Sequence, residues 1–145
     1  MQIIFDLEGT LIDGAERTSF NGVSDLLEIL AADGHTLYLW TGAHRSVKPL
    51  LVELGLTSYF RDFCFCDIPY PKPDARGPAG LLDFNLREKA LVVGDSRYDL
   101  VGAQNLGADF VAACWSDPDI ERRLKELGAT MFAHTPNDIL NFVES

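Results

Sequence analysis

The chain lacks any apolar run of the ~18 residues that a membrane-spanning helix needs. Its opening residues, MQIIFDLEG, carry neither the basic segment nor the small-residue cleavage site of a secretory leader. A cytoplasmic location is therefore expected. Cysteine is scarce and odd in number, three among 145 residues, which argues against a disulfide framework and fits a reducing compartment. Cys64 and Cys66 lie two apart and share a strand face, but two thiols alone make a poor zinc site, so they read as small buried hydrophobes. Positive charge is also short: 12 Lys and Arg stand against 22 Asp and Glu, for a net charge of -10. Repulsion then disfavours nucleic acid and anionic membranes as partners, and leaves a divalent cation unopposed. Linkers, low-complexity tracts and true repeats are missing too.

What is present is a 47% hydrophobic composition, at a length suited to one core, so residues 1–145 are expected to form a single domain. Apolar runs rich in β-branched and aromatic residues recur at Ile3 to Phe5, Thr36 to Trp40, Phe63 to Phe65, Ala90 to Val93 and Asp109 to Ala113, and predict strands. Segments of helical period separate them: Val23 to Ala32, Ser46 to Leu54, Pro78 to Leu86, Tyr98 to Leu106 and Pro118 to Leu127. A short strand near Thr130 to Phe132 and a helix from Pro136 to Val143 close the pattern. Such alternation predicts an α/β fold, a three-layer, doubly wound parallel sheet with right-handed crossovers.

In such a sheet, ligands sit at the carboxyl ends of the strands. Each of the first four strands is apolar until it ends and then delivers a functional group: Asp6 and Glu8 in FDLEGTLID, Thr41 in LYLWTGAHR, Lys72 in YPKPD, and Asp95 and Asp99 in LVVGDSRYD. Any one of Thr41, Ser96 or Asp99 reads as a helix cap or solvated loop residue. Four coincidences at consecutive strand ends point further. Several carboxylates in one crevice need a cation, and hard oxygen ligands without His or thiolate select Mg2+. Lys72 and the Thr41 hydroxyl then suit phosphoryl oxygens. Asp6 suits a carboxylate nucleophile, and Glu8 a proton donor to the leaving oxygen.

These motifs resemble, in order and over nearly the whole chain, the haloacid dehalogenase superfamily of phosphatases. DLEGTL is similar to its DxDxT signature, WTG to its second motif, the lysine of PKPD to its third and GDSRYD to its fourth. The resemblance implies a Rossmann-like sheet of strand order 3-2-1-4-5 and a Mg2+-dependent phosphomonoester hydrolase working through an aspartyl-phosphate. It implies Asp6 as nucleophile, with Thr41, Gly42 and Lys72 on the phosphoryl group. It places the cation on Asp6, Asp95, Asp99 and the backbone carbonyl of Glu8. The family's second aspartate is here Glu8, one methylene longer, which leaves open a weak or inactive phosphate-binding relative of these enzymes. A phosphoacceptor receiver domain uses similar residues but carries its acidic pair just after the first strand. Dehalogenation on the same fold has no need of Lys72, Asp95 and Asp99 with a metal.

Neither the interval Asp13 to Gly34 nor Ala43 to Pro71 has room for a cap domain. The crevice is expected to open to water, for a bulky substrate or for closure by a second copy of the chain. A phosphorylated small molecule or a phosphoprotein is the expected substrate. Arg17 and Phe20 after the first motif, and His44 and Arg45 after the second, are candidates to contact the leaving group. Arg45 can equally pair with an acidic neighbour, Phe20 staple a helix, and His44 sit in the first turn of one.

Overall fold

The computed structural model describes residues 1–143. In chain order the elements are β1 (Gln2–Phe5), β2 (Ile12–Asp13), β3 (Thr18–Ser19), α1 (Val23–Ala32), β4 (Thr36–Trp40), α2 (Lys48–Glu53) and β5 (Phe60–Cys64). They continue as α3 (Arg76–Ala79), β6 (Ala90–Gly94), α4 (Arg97–Leu106), β7 (Asp109–Ala113), α5 (Ile120–Glu126), β8 (Phe132–Ala133) and a 3-10 segment, Pro136–Asn141. Six strands form one parallel sheet in the order β5-β4-β1-β6-β7-β8, and β2 and β3 form a separate antiparallel hairpin. Counted along the main sheet this is the expected 3-2-1-4-5 order, extended at one edge by β8.

Alternation along the strands builds two cores. Ile3, Phe5, Leu37, Leu39, Leu91, Val93 and Val111 face one way and meet Leu26, Leu27 and Leu30 of α1, Leu51 of α2, and Ile139. Ile4, Tyr38, Trp40, Val92, Phe110 and Ala112 face the other way and meet Leu100 and Ala103 of α4 and Ile120 and Leu124 of α5. Side chains on a strand point alternately to opposite faces, so a run apolar throughout is what a sheet covered on both sides requires. No helix of the described residues is long and apolar enough to cross a membrane.

Several boundaries differ from the sequence reading. The third main strand begins at Phe60, three residues before the expected Phe63, and ends at Cys64. It lies at the sheet edge, where Arg61 pairs with Asp83 and the Asp62 carboxylate accepts from the Leu82 N–H at 2.9 Å. The helix expected over Pro78 to Leu86 shrinks to α3; beyond it the chain makes only isolated three-residue turns, such as Phe84 N–H to Leu81 O at 3.1 Å, and distant side chains take other backbone groups. Asn85 N–H donates to Gln2 Oε1 at 2.7 Å, and the Tyr38 hydroxyl to Leu82 O at 2.8 Å. Those long-range bonds interrupt the regular i to i−4 ladder that a helix needs. Residues 45–54 divide into a 3-10 turn, Arg45–Val47, and α2, while the last segment is 3-10 rather than α-helical. The β2–β3 hairpin was not expected; Asp13 Oδ1 builds its turn by accepting from Ala15 and Glu16 N–H.

Candidate active site

All four polar segments follow the carboxyl ends of parallel strands, β1, β4, β5 and β6, at the same end of the main sheet. Asp6 follows β1 directly, with its N–H bonded to Val93 O on the neighbouring strand at 2.9 Å. The chain then turns sharply, Leu11 and Ile12 N–H both returning to Leu7 O, which buries Thr10 and aims its hydroxyl at Asp6 Oδ2, 3.4 Å away. Thr41 directly follows β4; its hydroxyl oxygen accepts from Ala43 N–H at 3.0 Å, leaving the hydroxyl proton for a ligand. Lys72, 5% exposed at its side chain, comes from the irregular stretch after β5. Its ammonium donates to Asp6 Oδ1 at 3.0 Å and to Trp40 O at 2.9 Å, and forms an ion pair with Asp99.

Asp99 is fully buried in the first turn of α4. Its Oδ2 accepts from Asp95 N–H, Ser96 N–H and Ser96 Oγ at 2.9, 2.9 and 3.0 Å. One oxygen of Asp99 thus fixes the loop that presents Asp95, and the other holds Lys72, so a capping residue doubles as a charge anchor. Asp95 reaches back to the first motif only because residue 9 is glycine. A Cβ on Gly9, whose φ is +81°, would sit 2.0 Å from Asp95 Oδ2. Gly9→Ala is expected to displace Asp95 and weaken divalent-cation binding on the order of tenfold. Isothermal titration with Mg2+ measures this, and unchanged affinity would show that Asp95 is not held from that side.

The carboxylates of Asp6, Asp95 and Asp99 offer oxygens all within 4.8 Å of one another. Burial pushes the Asp6 carboxyl up to about 7, against the opposing Lys72 ammonium and with the help of the hydrogen bond that protonated Asp6 donates to the neighbouring Asp95 carboxylate. Burial, and then the Asp6 charge, push Asp99 to about 6, again opposed by Lys72. Burial also raises Asp95. Burial works against the Lys72 charge, yet Asp99 and Asp6 hold its ammonium above the usual value. Three carboxylates with one ammonium leave negative charge uncompensated, and an all-oxygen donor set of this spacing fits a small divalent cation.

An open cavity of about 380 Å³ is lined by Asp6, Glu8, Thr41, Gly42, Ala43, Asp95 and Ser96. A neighbouring lobe of about 270 Å³ adds Lys72 and Tyr98. Of the residues singled out from sequence, Asp6, Glu8, Thr41, Gly42, Lys72 and Asp95 therefore converge, with Asp99 beneath them. Arg17 and Arg45 do not line the cavity. Arg17 sits exposed in the hairpin with φ 57°, and Arg45 is paired with Asp67. His44 spends Nδ1 on Ser46 N–H at 3.0 Å, and Phe20 packs against the core. The residues that sequence reasoning did not single out are Thr10 and Gly9; their place on the turn just after Asp6 was the available signal.

Residues 14–113 match the family model of haloacid dehalogenase-like hydrolases. That stretch begins after Asp6, whose position rests on the fold. Among curated relatives, a phosphoglycolate phosphatase of Agrobacterium fabrum is 29% identical over 109 residues, 72% of this chain and 47% of the relative. Phosphoglycolate phosphatase 1 of Pseudomonas aeruginosa is 41% identical over 96 residues, 61% of this chain and 34% of the relative. The chain thus spans half or less of the length of the curated relatives it matches. Among solved structures, a haloacid dehalogenase-like family hydrolase from Streptococcus pneumoniae superposes with TM-score 0.80 at 18% identity, covering 99% of this chain and 98% of the other. A superfamily hydrolase from Geobacter sulfurreducens gives 0.75 at 19%, covering 98% of both. These likenesses establish the shared fold, and the family match, extending from the β2–β3 hairpin through β7, makes this chain a member of the haloacid dehalogenase-like hydrolases.

Proposed function

We propose that the chain is a Mg2+-dependent phosphomonoester hydrolase that uses Asp6 as nucleophile. The observation that carries the reading is the contact of the buried Asp6 Oδ1 with Lys72 Nζ at 3.0 Å, beside Asp95 and at the wall of a cavity also lined by Thr41. Lys72 lowers the cost of ionising Asp6, and the Thr41 hydroxyl and Lys72 flank the place where a phosphoryl group would sit. Asp6 attacks phosphorus as the bond to the leaving oxygen breaks, and Glu8 gives that oxygen a proton. Glu8 then takes a proton from water, which attacks the Asp6-bound phosphoryl group and frees the Asp6 carboxylate and inorganic phosphate. Asp6, Asp95 and the Glu8 backbone carbonyl would hold the cation, with Asp99 contributing charge below. When bound, it offsets the negative charge of carboxylates and phosphate together.

A second reading rests on Glu8. Its side chain is exposed and leans on the hairpin, its carboxyl carbon 3.3 Å from where a Cβ on Gly14 would lie. A Glu8 that stayed there would leave a phosphate-binding protein without turnover. Phosphate release from p-nitrophenyl phosphate and from phosphoglycolate, the substrate in both curated relatives' names, separates the two. Turnover with Mg2+ that falls to background in EDTA and returns on adding Mg2+ is expected. Metal-independent turnover sinks the proposal, and binding of phosphate mimics without turnover supports the second reading.

Protons compete with the cation for Asp6. With that carboxyl at about 7 in the metal-free protein, Mg2+ affinity rises with pH through neutrality. Its apparent dissociation constant is expected to be on the order of thirtyfold larger at pH 5.5 than at pH 8. Titration calorimetry across that range, with proton release on binding, tests this. The open mouth suits a phosphorylated small molecule or phosphoprotein, or closure by a second copy of the chain, and three free thiols suit a reducing, cytoplasmic setting.

A further inference from the structure

Beyond the catalytic cavity, a groove of about 390 Å³ runs between α4 and α5, lined by Asp95, Ser96, Arg97, Tyr98, Arg123, Leu124 and Leu127. It shares Asp95 and Ser96 with the catalytic cavity, and Tyr98 also lines the lobe that holds Lys72. The two cavities therefore adjoin at Asp95 and Ser96.

The groove's charge is unlike that of the chain. In a protein of net charge -10, two guanidinium groups line it against a single carboxylate, Asp95, which the proposed cation offsets. Arg45, Arg61, Arg76 and Arg122 are each tied to a carboxylate elsewhere. Arg97 has no ion pair among the described residues, and Arg123 reaches only Asp117, at 3.5 Å with both side chains about half exposed. Helix stability does not explain Arg97 either. It is the first residue of α4, the end where the helix dipole disfavours a cation. Beside these charges, Tyr98 and Leu127 stay 63% and 48% exposed, and Leu124 is buried behind them. Apolar walls with a few convergent charged groups, in a volume of this size, are what small-molecule sites present.

We infer that this groove is the leaving-group subsite, taking phosphomonoesters whose leaving group carries a second anionic group on an apolar or flat spacer. The spacer lies against Tyr98, Leu124 and Leu127, and the distal anion meets Arg97 and Arg123. This rests on the hydrolase reading above and adds the substrate class to it.

Three esters separate the contributions: p-nitrophenyl phosphate, hexyl phosphate, and 6-phosphonooxyhexanoate, which is hexyl phosphate ending in a carboxylate. At low salt, kcat/KM for the carboxylated ester is expected to exceed that for hexyl phosphate about tenfold, mainly through KM, and the gap should close in high salt. Arg97→Glu combined with Arg123→Glu is expected to abolish the preference while p-nitrophenyl phosphate and hexyl phosphate turn over as before. Equal kcat/KM for the two hexyl esters in the unaltered protein overturns the subsite, as does a uniform loss on all three esters in the double variant. Binding of the two hexyl esters to the Asp6→Asn protein, by calorimetry, reads the same preference without turnover. If no ester is hydrolysed by the unaltered protein, the hydrolase reading fails while this binding comparison still decides the subsite.

Discussion

Asp6→Asn is expected to lower phosphomonoester turnover by about four orders of magnitude or more, the scale seen when a covalent nucleophile is removed. The change is nearly isosteric: the amide oxygen can keep the Lys72 bond made at Oδ1, and the amide nitrogen can donate to the Thr10 hydroxyl that now donates to Oδ2, so a loss of this size is not expected from misfolding. Stability should move the other way. Burial pushes Asp6 to about 7, far above the unfolded carboxyl, so the folded metal-free protein holds a proton there that the unfolded chain has released. That contribution is complete only below the unfolded value of 3.8 and is lost progressively as pH rises from there through about 7. Asparagine never ionises and never suffers the loss. In EDTA at pH 8 the variant should melt above the unaltered protein, and the gap should narrow toward pH 5.5. Steady-state kinetics and thermal unfolding give the two readouts. Turnover within tenfold of the unaltered protein, with the same Mg2+ dependence, would remove Asp6 from the nucleophile's role.

The sheet was legible because a strand covered on both faces must be apolar throughout, and five runs met that demand: Ile3 to Phe5, Thr36 to Trp40, Phe63 to Phe65, Ala90 to Val93 and Asp109 to Ala113. The third was mislocated since it ends the sheet, where Arg61 and Asp62 are admitted by neighbours some twenty residues away, Asp83 and Leu82. The helix expected over Pro78 to Leu86 failed for a related reason. Leu82 and Leu86 remain exposed while Leu81 and Phe84 reach the core, so the buried residues do not form one helical face, and the backbone there is also held by the side chains of Gln2, Tyr38 and Asp62. Local periodicity carries no sign of such partners.

The site divides in the same way. Residue types at strand ends announced Asp6, Thr41, Lys72 and Asp95, because chemistry needs those types in an otherwise apolar setting. Pairings across the chain stayed hidden. Arg45 finds Asp67 and so leaves the cavity, and Asp99, which reads from sequence as one more metal ligand or a helix cap, proves to join the cap of α4 to the ammonium of Lys72. The lean of Glu8 onto the hairpin was hidden as well, since it depends on Gly14 and on a hairpin the sequence pattern did not reveal.

Lys72→Met should have the next largest effect, and it separates structure from catalysis. The ammonium is the single cation among three carboxylates, one of them fully buried. Removing one partner of such a buried cluster costs about 3–5 kcal/mol, because the other charges are left without compensation. In EDTA at pH 8 the variant should therefore lose that much stability. As pH falls below about 6, where Asp99 and Asp6 take up protons even in the unaltered protein, the deficit should shrink, since neutral carboxyls no longer need the ammonium. Saturating Mg2+ at pH 8 should restore much of the stability by supplying charge to Asp6 and Asp95. It should not restore turnover, which is expected to stay about 10²–10³-fold low, because the donor aimed at the transferring phosphoryl group is missing. Urea titrations and kinetics on the same preparations test both arms. Activity that returns in step with the folded fraction would mean that Lys72 only balances the charge of its neighbours, and that the phosphoryl group is held by other donors.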